Sequence, residues 1–134
     1  MPLIEGATLP EILRRLGGLI LAAALSPPAL ALHRLLVAES ARFPEVVGAT
    51  HAEGATQEIV KMIAGVIARE LGSAAPDVKA AEFAAAQFLE LVIAIPQRRA
   101  LGFGRAMSAA ERAAWVDATV ELFLEGCRGH RPAR

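Results

Sequence analysis

The side chains that chemistry would need are few in this chain: three histidines, one cysteine and scattered carboxylates. Their spacing builds no catalytic group. No Ser, Cys or His has a visible base or orienting partner. Gly102-Phe103-Gly104 is too short for a phosphate-binding loop. His51 and Glu53 stand two apart, which separates them on a helix. Cys127 and His130 have a chelating spacing but lie alone in the C-terminal tail, short of a metal-ligand set. The sequence therefore predicts no enzyme, no metal and no cofactor.

One acid stands out. In LHRLLVAESARFPEVV, residues 32–47, Leu32, Leu35, Leu36 and Phe43 define an apolar face, and Glu39 falls in its middle. A buried carboxylate must be paired, hydrogen-bonded or neutral. Two explanations fit: a salt bridge to Arg14, Arg98 or Arg99, or a polar anchor in an otherwise apolar ligand cavity. His33 lies off that face, and His51 is placed to point inward.

The bulk composition bounds what else is possible. A chain of 134 residues suits a single domain, here 1–134. Fourteen basic residues balance fourteen acidic ones, which argues against nucleic-acid binding by this chain alone. The single Cys127 excludes an internal disulfide and fits a reducing, cytoplasmic setting. No apolar run reaches the roughly 20 residues that cross a bilayer, so no membrane partner is expected. Arg14 and Arg15 followed by GLILAAALSPPALA imitate a secretory signal. Against that reading, Glu5 and Glu11 are acidic, and Leu9, Ile12, Leu13, Leu16, Ile20 and Ala23 continue one helical face through the arginines.

The elements that position these residues are helices throughout. Thr8 with Glu11 reads as a capping box for a first helix to about Leu25. Ser26 caps a second helix, which opens on Pro27 and runs to about Arg42. Pro44 disfavours helix at Phe43 and opens a short third, about 44–52. The fourth spans about 56–71, with Gly72 as its C′ residue, and Asp77 caps the fifth. Pro96 is expected to end or kink the fifth helix near Ala94. Gly102 and Gly104 mark a loop, and Ser108 with Glu111 opens a last helix to about Glu125, followed by a frayed tail from Cys127.

The fifth and last helices carry unusually wide apolar arcs. Ala84, Phe88, Leu91 and Ile95 form one stripe of the fifth, and Ala85, Leu89 and Val92 another. On the last, Trp115, Val116, Thr119, Val120, Leu122, Phe123 and Leu124 leave only the Asp117, Glu121 and Glu125 stripe for solvent. Periodicity alone does not decide between the centre of a monomeric bundle and an interface with a second copy.

The ordered set of segments resembles the C-terminal regulatory domain of TetR-type transcriptional repressors. LHRLLVAESARFPEVV resembles the family's helix ending in a Phe-Pro step, and TQEIVKMIAGVIARELG the long helix after it. AAEFAAAQFLELVIAIPQRRALGFG and AAWVDATVELFLEG resemble its two dimerisation helices. The resemblance implies an all-α helical bundle and a homodimer whose last two long helices form a four-helix interface. By position, that interface would use Leu89, Val92, Trp115, Thr119, Leu122 and Phe123. It also implies a cavity for a small, mainly apolar effector, walled by Leu36, Glu39, Phe43, Val47, His51, Ile63, Ile67, Phe88 and Leu91. Such repressors read DNA through a helix-turn-helix that should precede residue 8, where only seven residues stand. DNA would then be reached only through a domain this chain does not carry. The alternatives are a helical dimerisation module without a ligand, and an exported helical protein.

Overall fold

The computed structural model describes residues 7–70 and 78–129, except the side chains of 50–53, 55, 128 and 129. Among them are six helices and no strand: α1 (Leu9–Ala24), α2 (Pro27–Glu39), α3 (Pro44–Glu53), α4 (Ala55–Glu70), α5 (Val78–Ala100) and α6 (Ala109–Gly129). The architecture is the all-α bundle that the sequence predicts.

Local chemistry accounts for most boundaries. The Thr8 hydroxyl accepts the Glu11 N–H at 3.4 Å and caps α1. Ser26 does the same for α2 through Ala29 N–H, with Pro27 at the first helical position. Phe43 adopts φ −132°, ψ 59°, as a residue before proline must leave helical geometry, and Pro44 then starts α3. The expected cap at Asp77 and the expected C′ residue Gly72 lie outside the described residues. Three boundaries differ from expectation, the end of α5 being one. α2 stops at Glu39 rather than near Arg42, and α6 continues through Cys127 to Gly129, where a frayed tail is expected.

Four helices build the core. α1 contributes Ile12, Leu13, Leu16, Ile20 and Leu21; α4 contributes Val60, Ile63, Ala64, Val66 and Ile67. α5 adds Ala81, Ala85, Phe88, Leu89 and Val92, and α6 adds Val116, Val120, Phe123 and Leu124. The Phe88 and Phe123 rings meet at its centre, 5.0 Å between centroids and tilted by 47°. Gly17 lets α1 approach closely: a Cβ there would stand 2.9 Å from Val116 Cγ1 and 3.6 Å from Phe88 Cζ.

α2 behaves otherwise. It leaves α1 at a 65° bend and buries no residue, so the inward face expected from Leu32, Leu35 and Leu36 is not a core face. Leu32 and Leu35 are more than half exposed. The reason is visible in the sequence of α2: apolar residues lie all around the helix rather than in one stripe, so no single direction of burial is favoured.

α5 also departs from expectation. Pro96 does not end it: the helix continues to Ala100 with Pro96 fully buried. It finishes where Gly102 takes φ +110°, while Phe103 N–H bonds Arg98 O (3.0 Å) and Gly102 N–H bonds Arg99 O (3.2 Å). That pattern is a Schellman C-cap with glycine at C′.

Among the described residues, no single helix is long and apolar enough to cross a membrane. α1 and α2 together have the length and composition, but α1 is largely committed to the bundle core.

Candidate functional site

Two surfaces carry functional potential, and neither coincides with the expected residue sets. The first runs along α2. One hollow of about 440 Å³ lies between α2 and α3, lined by His33, Leu36, Val37, Ser40, Pro44, Val47 and Gly48. A second, of about 380 Å³, lies between α2 and the end of α5, lined by His33, Arg34, Val37, Ala38, Arg98, Leu101 and Phe103. His33 and Val37 belong to both, so the two adjoin. Their volumes fall in the range typical of small-molecule sites, and their walls are mainly apolar.

Of the nine residues expected around a ligand, Leu36 and Val47 line the α2–α3 hollow. Glu39 is half-buried on α2, and Phe43 is half-exposed with the Arg42 guanidinium 5.2 Å over its ring. Ile63, Ile67 and Phe88 are packed in the core, away from any described hollow. Leu91 lies on the outer face of α5, in the apolar hollow shared with α6. The side chain of His51 lies outside the described residues. Sequence reasoning missed His33, Val37, Ser40, Pro44 and Gly48; the first three recur at helical spacing beside the chosen stripe.

The ion pair expected for Glu39 does not form among the described residues. Arg14 reaches Asp117 (3.7 Å), and Arg99 reaches Glu111 (3.5 Å). Arg98 faces the α2–α5 hollow instead. A half-buried carboxylate keeps contact with water, so it needs no cation to be tolerated.

The second surface is the outer face of α5 and α6. Phe83, Ala84, Gln87, Leu91, Leu122, Phe123, Gly126 and Cys127 line a hollow there without a charged side chain. Phe83 is 55% exposed, Leu91 41% and Leu122 68%. Of the six residues expected at a dimer interface, Leu89, Val92 and Thr119 are buried within the chain, and Phe123 is buried but lines the floor of this hollow. Trp115 is half-buried with its indole N–H bonded inside the subunit, and Leu122 alone is fully presented. The wide arcs of both helices are real, but most of the α5 arc is filled by α4 and α1, and most of the α6 arc by α1 and α5. The residual stripe is rotated toward Phe83, Leu91 and Leu122. Burial also pushes the Cys127 thiol up from its ordinary value, favouring the neutral form at this face.

The α5–α6 corner is held by charge. Glu111 accepts from Ser108 N–H at 3.5 Å, while Ser108 Oγ accepts Glu111 N–H at 3.1 Å, the reciprocal capping box that the sequence predicts. Arg105 (3.3 Å) and Arg99 (3.5 Å) flank the same carboxylate. The Ser108 backbone bond holds the Glu111 carboxyl below its ordinary pKa, assisted by the Ser108 hydroxyl and by Arg105 against some desolvation. Arg99 Nε also donates to Arg105 O, closing the loop between them.

No group of three or more His, Cys, Asp or Glu side chains with metal-binding geometry occurs among the described residues. Residues 11–126 match the family described as the AefR-like transcriptional repressor C-terminal domain. No curated protein and no solved structure matches the chain.

Proposed function

Since the chain belongs to the family of AefR-like transcriptional repressor C-terminal domains, we propose that it is the effector-sensing and dimerising part of a TetR-type transcriptional regulator. The observation that carries the dimer is the uncharged stripe of Phe83, Leu91 and Leu122 on the two long C-terminal helices. Large apolar side chains grouped on one face of a small domain mark a protein contact. Two copies related by a two-fold axis would each bring α5 and α6, and the self-complementary contact would cover both stripes.

The effector belongs in the hollows along α2. α2 holds the core weakly, so a ligand wedged between it and α3 or α5 changes its position at low cost to the bundle. Regulation then follows from linkage: an effector releases DNA only if it binds the DNA-incompetent arrangement more tightly than the competent one. DNA itself would be read by a helix-turn-helix attached to this domain. The family consists of transcription regulators rather than enzymes.

A second reading draws on the packed state of Ile63, Ile67 and Phe88. It makes the chain a dimerisation module without an effector. The export reading has less support, because loss of the first 31 residues would remove α1 and its five large core side chains.

Light scattering of the chain, alone and with a panel of apolar small molecules, tests both readings. A mass of twice 14.1 kDa supports the interface, and a monomer at all concentrations removes it. Binding of a panel member supports sensing over the module reading.

A further inference from the structure

The α2–α5 hollow has a chemistry that an apolar effector alone does not use. Arg34 and Arg98 both line it, together with Val37, Leu101 and the 81% exposed Phe103. Five other arginines have partners within the subunit: Arg14 with Asp117, Arg99 and Arg105 with Glu111, Arg112 with Met107 O, and Arg42 with the Phe43 ring. Arg34 and Arg98 have no such partner among the described residues, and no carboxylate lines either hollow. The contrast between neighbours is sharp. Arg99 turns toward α6 and is neutralised there, whereas Arg98, about 100° around the helix, is left facing α2.

Two guanidinium groups without an acidic partner among the described residues, beside an apolar wall, are complementary to a molecule with an anionic head and an apolar body. A guanidinium fork binds a carboxylate through two parallel hydrogen bonds. The adjoining α2–α3 hollow, which shares His33 and Val37 as lining residues, gives the body room. We propose that the effector is an amphipathic carboxylate whose head lies between Arg34 and Arg98 and whose apolar body runs along Val37 toward Leu36 and Val47. This rests on the reading of the α2 hollows as the effector site and names the chemical class of the effector.

Octanoate and 1-octanol test it, since they share a chain length and differ in the head. Titration of the whole chain by ligand-observed NMR should show octanoate binding about ten-fold or more tightly than octanol, a difference reasonable for charge-assisted bonds. Arg34→Gln and Arg98→Gln, both at exposed positions, should each weaken octanoate, and together abolish its advantage, with octanol unchanged. Equal affinity of the two probes for the unaltered chain overturns the proposal and leaves an apolar effector hollow standing. An octanoate preference that survives in the double variant also overturns it, by placing the head elsewhere. If neither probe binds at millimolar concentration, the effector reading of the α2 hollows falls together with it.

Discussion

Trp115 Nε1 donates a 3.0 Å hydrogen bond to the main-chain oxygen of Val92, four residues before Pro96. In an unbroken helix the N–H of residue 96 would bind that oxygen. Proline has no N–H, so the Val92 carbonyl is left open in the bundle interior, and the indole of α6 fills the vacancy. This explains why a buried proline is tolerated inside α5 and why α5 and α6 are fixed in register at that level.

Trp115→Phe should therefore cost about 1–3 kcal/mol, because it strands an acceptor rather than merely removing a contact. In a Pro96→Ala background the restored backbone N–H can close the helical bond, and the same tryptophan change should cost clearly less. Urea unfolding followed by circular dichroism of the four proteins gives the coupling. An additive cycle would show that Trp115 matters only through its packing.

Adjacent glycines of α1 should respond in opposite directions. Gly18→Ala meets nothing within 4 Å and should stabilise the chain by roughly 0.5–1 kcal/mol through helix propensity. Gly17→Ala gains the same propensity but drives a methyl against Val116 Cγ1, a branched and buried group. Overpacking of that kind costs about 1–3 kcal/mol and should give net destabilisation. Thermal midpoints of the two variants, measured side by side, decide it.

Glu111 predicts a pH dependence. Its carboxyl is held below the ordinary value in the folded chain, so its stabilising contribution is fully present above the ordinary, unfolded value. It is lost as pH falls through the lower folded value. Glu111→Gln should accordingly be less stable than the unaltered chain at neutral pH, with the gap closing under acid conditions. Unfolding curves at pH 7 and at pH 3 check the sign; a gap that widens in acid would contradict it.

The two stripes of α5 and α6 should separate by mutation. Leu122→Glu, at an exposed site, should turn a dimer into a monomer while leaving helicity and thermal unfolding of the subunit nearly unchanged. Val92→Ala, in the packed core, should instead lower stability by about 2 kcal/mol with little effect on association. Light scattering and denaturation on both variants would expose a reversal of these roles.

The helices and most of their limits are legible in the sequence, because caps, prolines and glycines act within three or four residues of where they stand. Thr8, Ser26, Phe43-Pro44, Gly102 and the Ser108–Glu111 box all act locally and can be read for that reason. The family resemblance is legible too, from the order of segments. Tertiary packing selects which side of each wide apolar helix is buried. Leu89, Val92 and Thr119 turn into the core of the chain, and that choice depends on neighbours distant in sequence. Packing also leaves Glu39 outside the core, because α2 swings away after Pro27-Pro28 and buries nothing. Pro96 shows the difference most directly. Local rules end a helix at a proline, and only a tryptophan 19 positions later, brought across by packing, supplies the hydrogen bond that lets α5 continue.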